Sequence, residues 1–251
     1  MVVGISRALV RTWFALPLAG LALACGSRAP AAKTPATASA VAKPTPSAPA
    51  KSEAETPRPA DAGDTATYYD ERAPLLAKGD TAAIAATDFV RLRRGRLYSK
   101  AEPIPRELDR ALQAAMEKDD PNAVLDAATK ILAYDETDAR AHIVSAAVLR
   151  QAGAAGQSDI HATLAKALLD SLGKRGDGAT FETAWTAYAV KEEYQFLFAI
   201  GLEVHGQRLV GHGDRSFDVL AVVDPKSGRS GEAYFDVTEL FAEEGRMTAP
   251  H

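Results

Sequence analysis

A single cysteine, Cys25, stands in a chain of 251 residues. No intramolecular disulfide can form, so a hydrophobic core must hold the fold even in an exported protein. Metal sites built from several cysteines are excluded with it. Positive charge is also scarce in the part that can fold. From Tyr68 to His251 there are 22 Lys and Arg against 29 Asp and Glu, a balance of −7. Such a domain lacks the electrostatic footprint of a nucleic-acid binder. Long hydrophobic runs are missing too. Trp13 to Ala24 is an apolar run of 12 residues interrupted by Pro17. At about 1.5 Å per helical residue this is too short to span a hydrocarbon core of roughly 30 Å. The sequence has no HExxH or HxH spacing, no GxSxG elbow and no EF-hand ligand series. No metal or other cofactor is therefore expected.

The N-terminus has the grammar of export. Arg7 and Arg11 precede the apolar run, and small residues follow, ending Leu21-Ala22-Leu23-Ala24-Cys25-Gly26. Residues 1–24 therefore read as a signal peptide. The end of this segment resembles the lipobox of bacterial lipoproteins. That resemblance implies lipidation at Cys25 and attachment to a membrane through acyl chains, each buried CH₂ contributing about 0.8 kcal/mol. Ala22 stands where leucine is most usual. The same Ala22-Leu23-Ala24 also fits an ordinary signal peptidase, which would release a soluble protein. The expectation is a bacterial cell-envelope protein, lipid-anchored and facing the periplasm or the surface. Gly26 rather than Asp after the cysteine points to the outer membrane.

Residues 25–67 form a lipidated cysteine and a disordered linker in this reading. Seven of the chain's 14 prolines lie between Gly26 and Thr67, and the first aromatic residue after them is Tyr68. Such a segment buries too little apolar surface to offset its ordering entropy.

Residues 68–251 are expected to form a single α+β domain, with a helical half at 68–174 and a strand-rich half at 175–241. Asp88 caps a helix carrying Phe89, Leu92 and Leu97 inward, with Arg91, Arg93, Arg94, Arg96 and Lys100 on a solvated face. Leu108, Leu112, Ala115 and Met116 make an apolar stripe on the next helix. The run Ala123–Gly153 is weakly similar to a tetratricopeptide repeat: helix, polar turn Asp135-Glu136-Thr137-Asp138, second helix, glycine. About three repeats are needed for a solenoid, so these helical hairpins must pack on something else. Ala184–Val190 reads as a strand. Glu193–Leu202 suits helix or strand, and a short helix is expected. Two hairpins follow, turning at Gly213-Asp214 and at Asp224-Pro225-Lys226-Ser227-Gly228. The result is an antiparallel sheet of about four strands with helices on one face.

The motifs GDG-x3-ET-A from Gly176, EEY-x2-L from Glu192, Gln207-Arg208-Leu209-Val210, Phe217-Asp218-Val219 and Tyr234-Phe235-Asp236-Val237 resemble, in this order, a bacterial family catalogued as domain of unknown function 4919. Asp88-Phe89-x2-Leu92-Arg93 is similar to its opening motif. The resemblance covers most of Phe89–Phe241. It implies an exported α+β protein and brings no activity with it.

For chemistry, the polar set Asp177, Glu182, Glu193, Gln207, Asp218 and Asp236 could line one end of the sheet. Paired carboxylates there could serve a hydrolase, or the residues could be caps and rim groups. His205 and His212 are seven apart, so they share a strand face only if the strand bulges. The leading expectation is a non-catalytic binding or assembly module with an envelope protein partner. The alternative is an envelope hydrolase using carboxylates of the 176–236 region.

Overall fold

The computed structural model describes residues 58–248; the signal-like segment, Cys25 and the linker up to residue 57 lie outside the described residues. The helical part runs α1 (Ala62–Ala77), α2 (Thr81–Ala85), α3 (Phe89–Tyr98), α4 (Arg106–Glu117), α5 (Pro121–Tyr134), α6 (Ala139–Gln151) and α7 (Ala155–Gly173). The second part runs β1 (Trp185–Thr186), α8 (Val190–Ala199), β2 (Glu203–His212), β3 (Arg215–Val223), β4 (Ser230–Asp236) and α9 (Thr238–Thr248). No described helix is long and apolar enough to cross a membrane.

Aspartates start most of the early helices. Asp80, Asp88, Asp120 and Asp138 each accept a hydrogen bond from a backbone N–H of the first turn, which satisfies donors the helix itself cannot. Ordered contacts begin upstream of Tyr68: α1 starts at Ala62, and Arg58 donates to Glu243 of α9 at 2.7 Å. Helices α1 and α3 cross at Gly95. A Cβ at that position would lie 2.3 Å from the Thr65 carbonyl oxygen and 2.8 Å from the Tyr69 Cβ, so glycine is required for the approach. Helices α4, α5 and α6 enclose a core of their own around Leu112, Ala128, Ile131 and Val148.

The sheet has the order β1-β4-β3-β2. Strands β2, β3 and β4 form the expected antiparallel meander, but β1 pairs with β4 in parallel, Trp185 opposite Phe235. The sheet is therefore mixed rather than purely antiparallel. The cause is the connection: α8 carries the chain from β1 to the far edge, and two hairpin reversals bring β4 back beside β1 in the same direction. The expected strand Ala184–Val190 is correspondingly short, because helix α8 begins at Val190. Helix is the outcome for the ambiguous stretch from Glu193, although α8 begins and ends earlier than Glu193–Leu202.

Alternation along β3 divides its side chains. Leu220 and Val222 face the helices and join Trp185, Phe196, Leu197, Phe235 and Leu168 in the main core. Phe217 and Val219 face the other way and pack with Phe181, Ala184 and Tyr234. Each fully buried aromatic contributes about 1.5–3 kcal/mol relative to exposure. The glycines of the GDG motif serve this packing. Gly178 (φ +66°) lies against the Trp185 indole, where a Cβ would stand 2.5 Å from the ring. The indole N–H donates to the Gly176 carbonyl at 3.0 Å, and the Tyr234 N–H to that of Gly178 at 2.9 Å.

Candidate functional site

Helix α8 sets the site because its faces differ. Glu193 and Leu197 lie one turn apart, and Leu197 is wholly buried against the sheet. Glu193 therefore points to the sheet as well and is 0% exposed. Asp218 stands on the helix-facing side of β3 in the alternation that includes Leu220, and is 2% exposed. The two carboxyl groups meet between helix and sheet. Gln207, exposed on edge strand β2, reaches back and donates its amide N–H to Asp218 Oδ2 at 2.7 Å. The Tyr194 hydroxyl donates to Gln207 Oε1 at 2.5 Å and closes the chain at the surface.

Ionised Glu193 would have no donor, since neither of its carboxyl oxygens meets one. Burial first, and then the negative charge of Asp218 alongside, push its carboxyl up to about 9. Glu193 is thus held neutral at pH 7, and its own proton is what it can offer Asp218. Partial burial, with Glu193 and Asp218 adding, also raises the Tyr194 phenol.

Three of the six candidate residues, Glu193, Gln207 and Asp218, come together in this way. The other three do not join them. Asp236 is a cap: it accepts from the Thr238 N–H and hydroxyl at the start of α9 and pairs with Arg215. Asp177 lies in the exposed turn before Trp185 and accepts from the Ala179 N–H at 3.0 Å. A hydrogen bond from Thr183, the largest effect on it, holds its carboxyl below the usual value. Glu182 is held low chiefly by Thr180, with lesser effects from His212 and Arg215.

A second polar cluster lies on the other side of α8, and sequence reasoning missed it. The neighbouring Glu192 is 6% exposed and accepts two hydrogen bonds from Arg93, at 2.8 and 2.7 Å. Arg93 also donates to the Thr186 carbonyl and to the Ser171 hydroxyl, and its guanidinium lies over the Tyr188 ring. Lys191 bridges Asp135 at 2.6 Å and Asp138 at 3.0 Å. Burial alone would raise the Asp135 carboxyl, but Lys191, Arg96 and a hydrogen bond from Thr137 outweigh it and hold it low. Gln195 donates to Asp138.

One expectation is corrected here. The basic run from Arg91 to Lys100 is solvated only in part: Arg91 and Lys100 are exposed, but Arg93 is 3% exposed and Arg94 pairs with Asp61 and Glu239. The turn Asp135–Asp138 is buried throughout. A signal was present in the four consecutive polar residues opening an alanine-rich helix and in Lys191-Glu192-Glu193 within an otherwise apolar stretch. A linear pattern does not say which charges meet.

His142 and His161 also come together, Nδ1 to Nδ1 at 2.9 Å, while His142 Nε2 lies 3.0 Å from the Glu136 carbonyl oxygen. Burial lowers His142 to about 4, and burial together with the Asp135 charge raises Glu136 to about 8. His205 and His212 stay apart. The strand shifts register between Val204 and Gly206, His205 lies near Glu203, and His212 stacks on Phe181 with ring centroids 4.4 Å apart. Among the described residues no group of three or more His, Cys, Asp or Glu is placed to hold a metal ion.

These elements fall within a known family. Residues 96–246 match the family described as Domain of unknown function (DUF4919), and the chain belongs to it. No curated protein and no solved structure matches the chain. The family's matched span holds α8, the whole sheet and the Glu193–Asp218 pair; Arg93 lies just before it.

Proposed function

We propose that the protein is a lipid-anchored component of the bacterial cell envelope whose α+β domain binds a partner rather than catalysing a reaction. The carrying observation is the surface beside the acid pair. Val190, Tyr194 and Leu209 are 40%, 41% and 53% exposed and sit on adjoining elements, α8 and edge strand β2. Exposed apolar residues gathered next to a buried polar pair suit recognition of another molecule. The anchor rests on the Cys25 segment, which lies outside the described residues. Metabolic labelling with a fatty acid tests it: labelling is expected in the wild type and absent from Cys25→Ala, and equal labelling of both contradicts it. Cross-linking from intact membranes tests the binding role. A discrete cross-linked species that Tyr194→Ala and Leu209→Ala together abolish supports it, and one unchanged by that double variant contradicts it.

One observation favours a second reading. Glu193 is held protonated beside Asp218, as a general acid is held beside a general base. In a hydrolase, Glu193→Gln would abolish turnover of envelope glycan or peptide. Such loss, with folding intact, replaces the binding reading.

A further inference from the structure

We infer that Glu193 and Asp218 form the floor of a binding site for an organic cation, an ammonium or guanidinium group carried on an apolar stem. The inference deepens the binding reading above and rests on it. Three features of the geometry carry it.

The first is an unfilled need for donors. Glu193 is fully buried; its own proton can go to Asp218, but neither of its carboxyl oxygens accepts a hydrogen bond from any other group. Buried polar groups are ordinarily paired, and one that is not calls for an explanation. Its neighbour in sequence shows what this fold does with a structural glutamate: Glu192 takes a guanidinium from Arg93. No cation of the chain takes that place at Glu193 among the described contacts.

The second is access. Asp218 is covered on its outer side by edge strand β2. Leu209 stands directly opposite it in the ladder, and Gln207 reaches it from two residues along. Gln207 and Leu209 are both exposed. The acid pair is thus one side chain below the surface, and the covering group is a neutral amide held by a single surface tyrosine. An incoming N–H donor replaces the Gln207 donor at Asp218 Oδ2 and reaches Glu193 behind it.

The third is the rim. Tyr194, hydrogen-bonded to Gln207, and Leu209, opposite Asp218, give the entrance an exposed aromatic face and an exposed apolar side chain. An alkyl stem packs on such a surface while its charged head goes inward, and an aromatic ring favours a cation beside it. Two carboxyl groups match the fork of a guanidinium or the donors of an ammonium.

The proton balance follows. The free site holds two carboxyl groups and one proton; binding of one cation leaves two carboxylates around it and releases that proton to solvent. Tyr194 and Glu192 are the other titratable groups that act on Glu193 or lie beside it.

The test is calorimetric titration of the full chain near neutral pH with butylguanidinium and with butylammonium, and with 1-butanol as the uncharged control. Two buffers of different ionisation enthalpy report the proton. The expected result is saturable binding of at least one cation with proton release, and none of the alcohol. Glu193→Gln keeps the volume and neutrality of the protonated side chain and so keeps the fold. It is expected to weaken binding at least about tenfold, as is Asp218→Asn. Gln207→Ala removes the competing donor and is expected to bind as tightly as the wild type or more tightly. Absence of saturable binding with both cations overturns the inference, and so does binding that Glu193→Gln leaves unchanged. Partner cross-linking that survives in Glu193→Gln, together with absent cation binding, overturns this inference alone; failure of cross-linking in the wild type overturns the binding reading.

Discussion

Glu192 and Glu193 are adjacent on one helix, both buried, and treated in opposite ways. Glu192 faces the helices and meets Arg93 in a two-pronged pair, with the Tyr188 N–H as a further donor. Glu193 faces the sheet and meets another acid. Burial is the largest effect on Glu193, and the Asp218 charge adds to it; the difference shows that neighbours decide whether the cost of burial is offset. On the helical side, charges from α3, the Asp135–Asp138 turn and α8 are matched one against another and tie the two halves of the domain together. On the sheet side, a surplus of acid is kept near the surface.

The largest break in this comparison comes from the paired side. Arg93→Met keeps the stem but leaves Glu192 buried without its cation. A loss of about 3–5 kcal/mol in urea unfolding is expected. Replacing both residues by methionine should recover most of that loss, since no orphan charge remains. A loss under about 1 kcal/mol for Arg93→Met alone would mean that water or another group already serves Glu192.

Lys191→Met comes next. It leaves Asp135 and Asp138 with Thr137, Arg96, Gln195 and backbone donors, and Lys191 itself is partly exposed, so about 2 kcal/mol is expected. Its pH dependence has a definite sign. The Asp135 carboxyl is lower in the fold than in the unfolded chain, so its stabilisation is present above the ordinary Asp value of about 3.9 and is lost as pH falls through the depressed folded value. The variant should show a shallower loss of stability in acid.

Glu193→Gln acts in the opposite direction. The folded-state value of about 9 lies above the ordinary Glu value. The carboxyl's contribution is therefore complete below about 4.3 and is lost as pH rises through 9. The amide variant should equal the wild type near pH 4 and be more stable by about 3–4 kcal/mol at neutral pH, the gap widening until the pH reaches about 9. A variant less stable than the wild type at neutral pH would place an ionised Glu193 in a favourable partnership. The smallest effect belongs to an exposed pair such as Lys166–Asp170 on α7, where Lys166→Ala should cost under about 0.5 kcal/mol.

Much of this architecture was legible because its causes are local. Asp88 and Asp138 announce helix starts, the Asp224–Gly228 turn announces a hairpin, and Tyr194 with Leu197 favours helix over strand in α8. The candidate set already contained Glu193, Gln207 and Asp218. It could not be separated from Asp236, a helix cap, or from Asp177 and Glu182, loop residues, because all six are polar groups near strands. The direction of β1 was not legible, since it depends on where α8 delivers the chain. Nor was the Arg93–Glu192 pair: an arginine among arginines on a helix reads as surface, and its burial follows from a partner far along the chain.

The most direct measurement is a carbon-detected NMR titration of the Glu193 side-chain carboxyl in the full chain. A midpoint near 9 is expected, with Glu193 protonated throughout the neutral range. A midpoint near the ordinary glutamate value of about 4.3 would mean that the carboxyl is already paired or hydrated, and would contradict both the comparison and the cation site built on it.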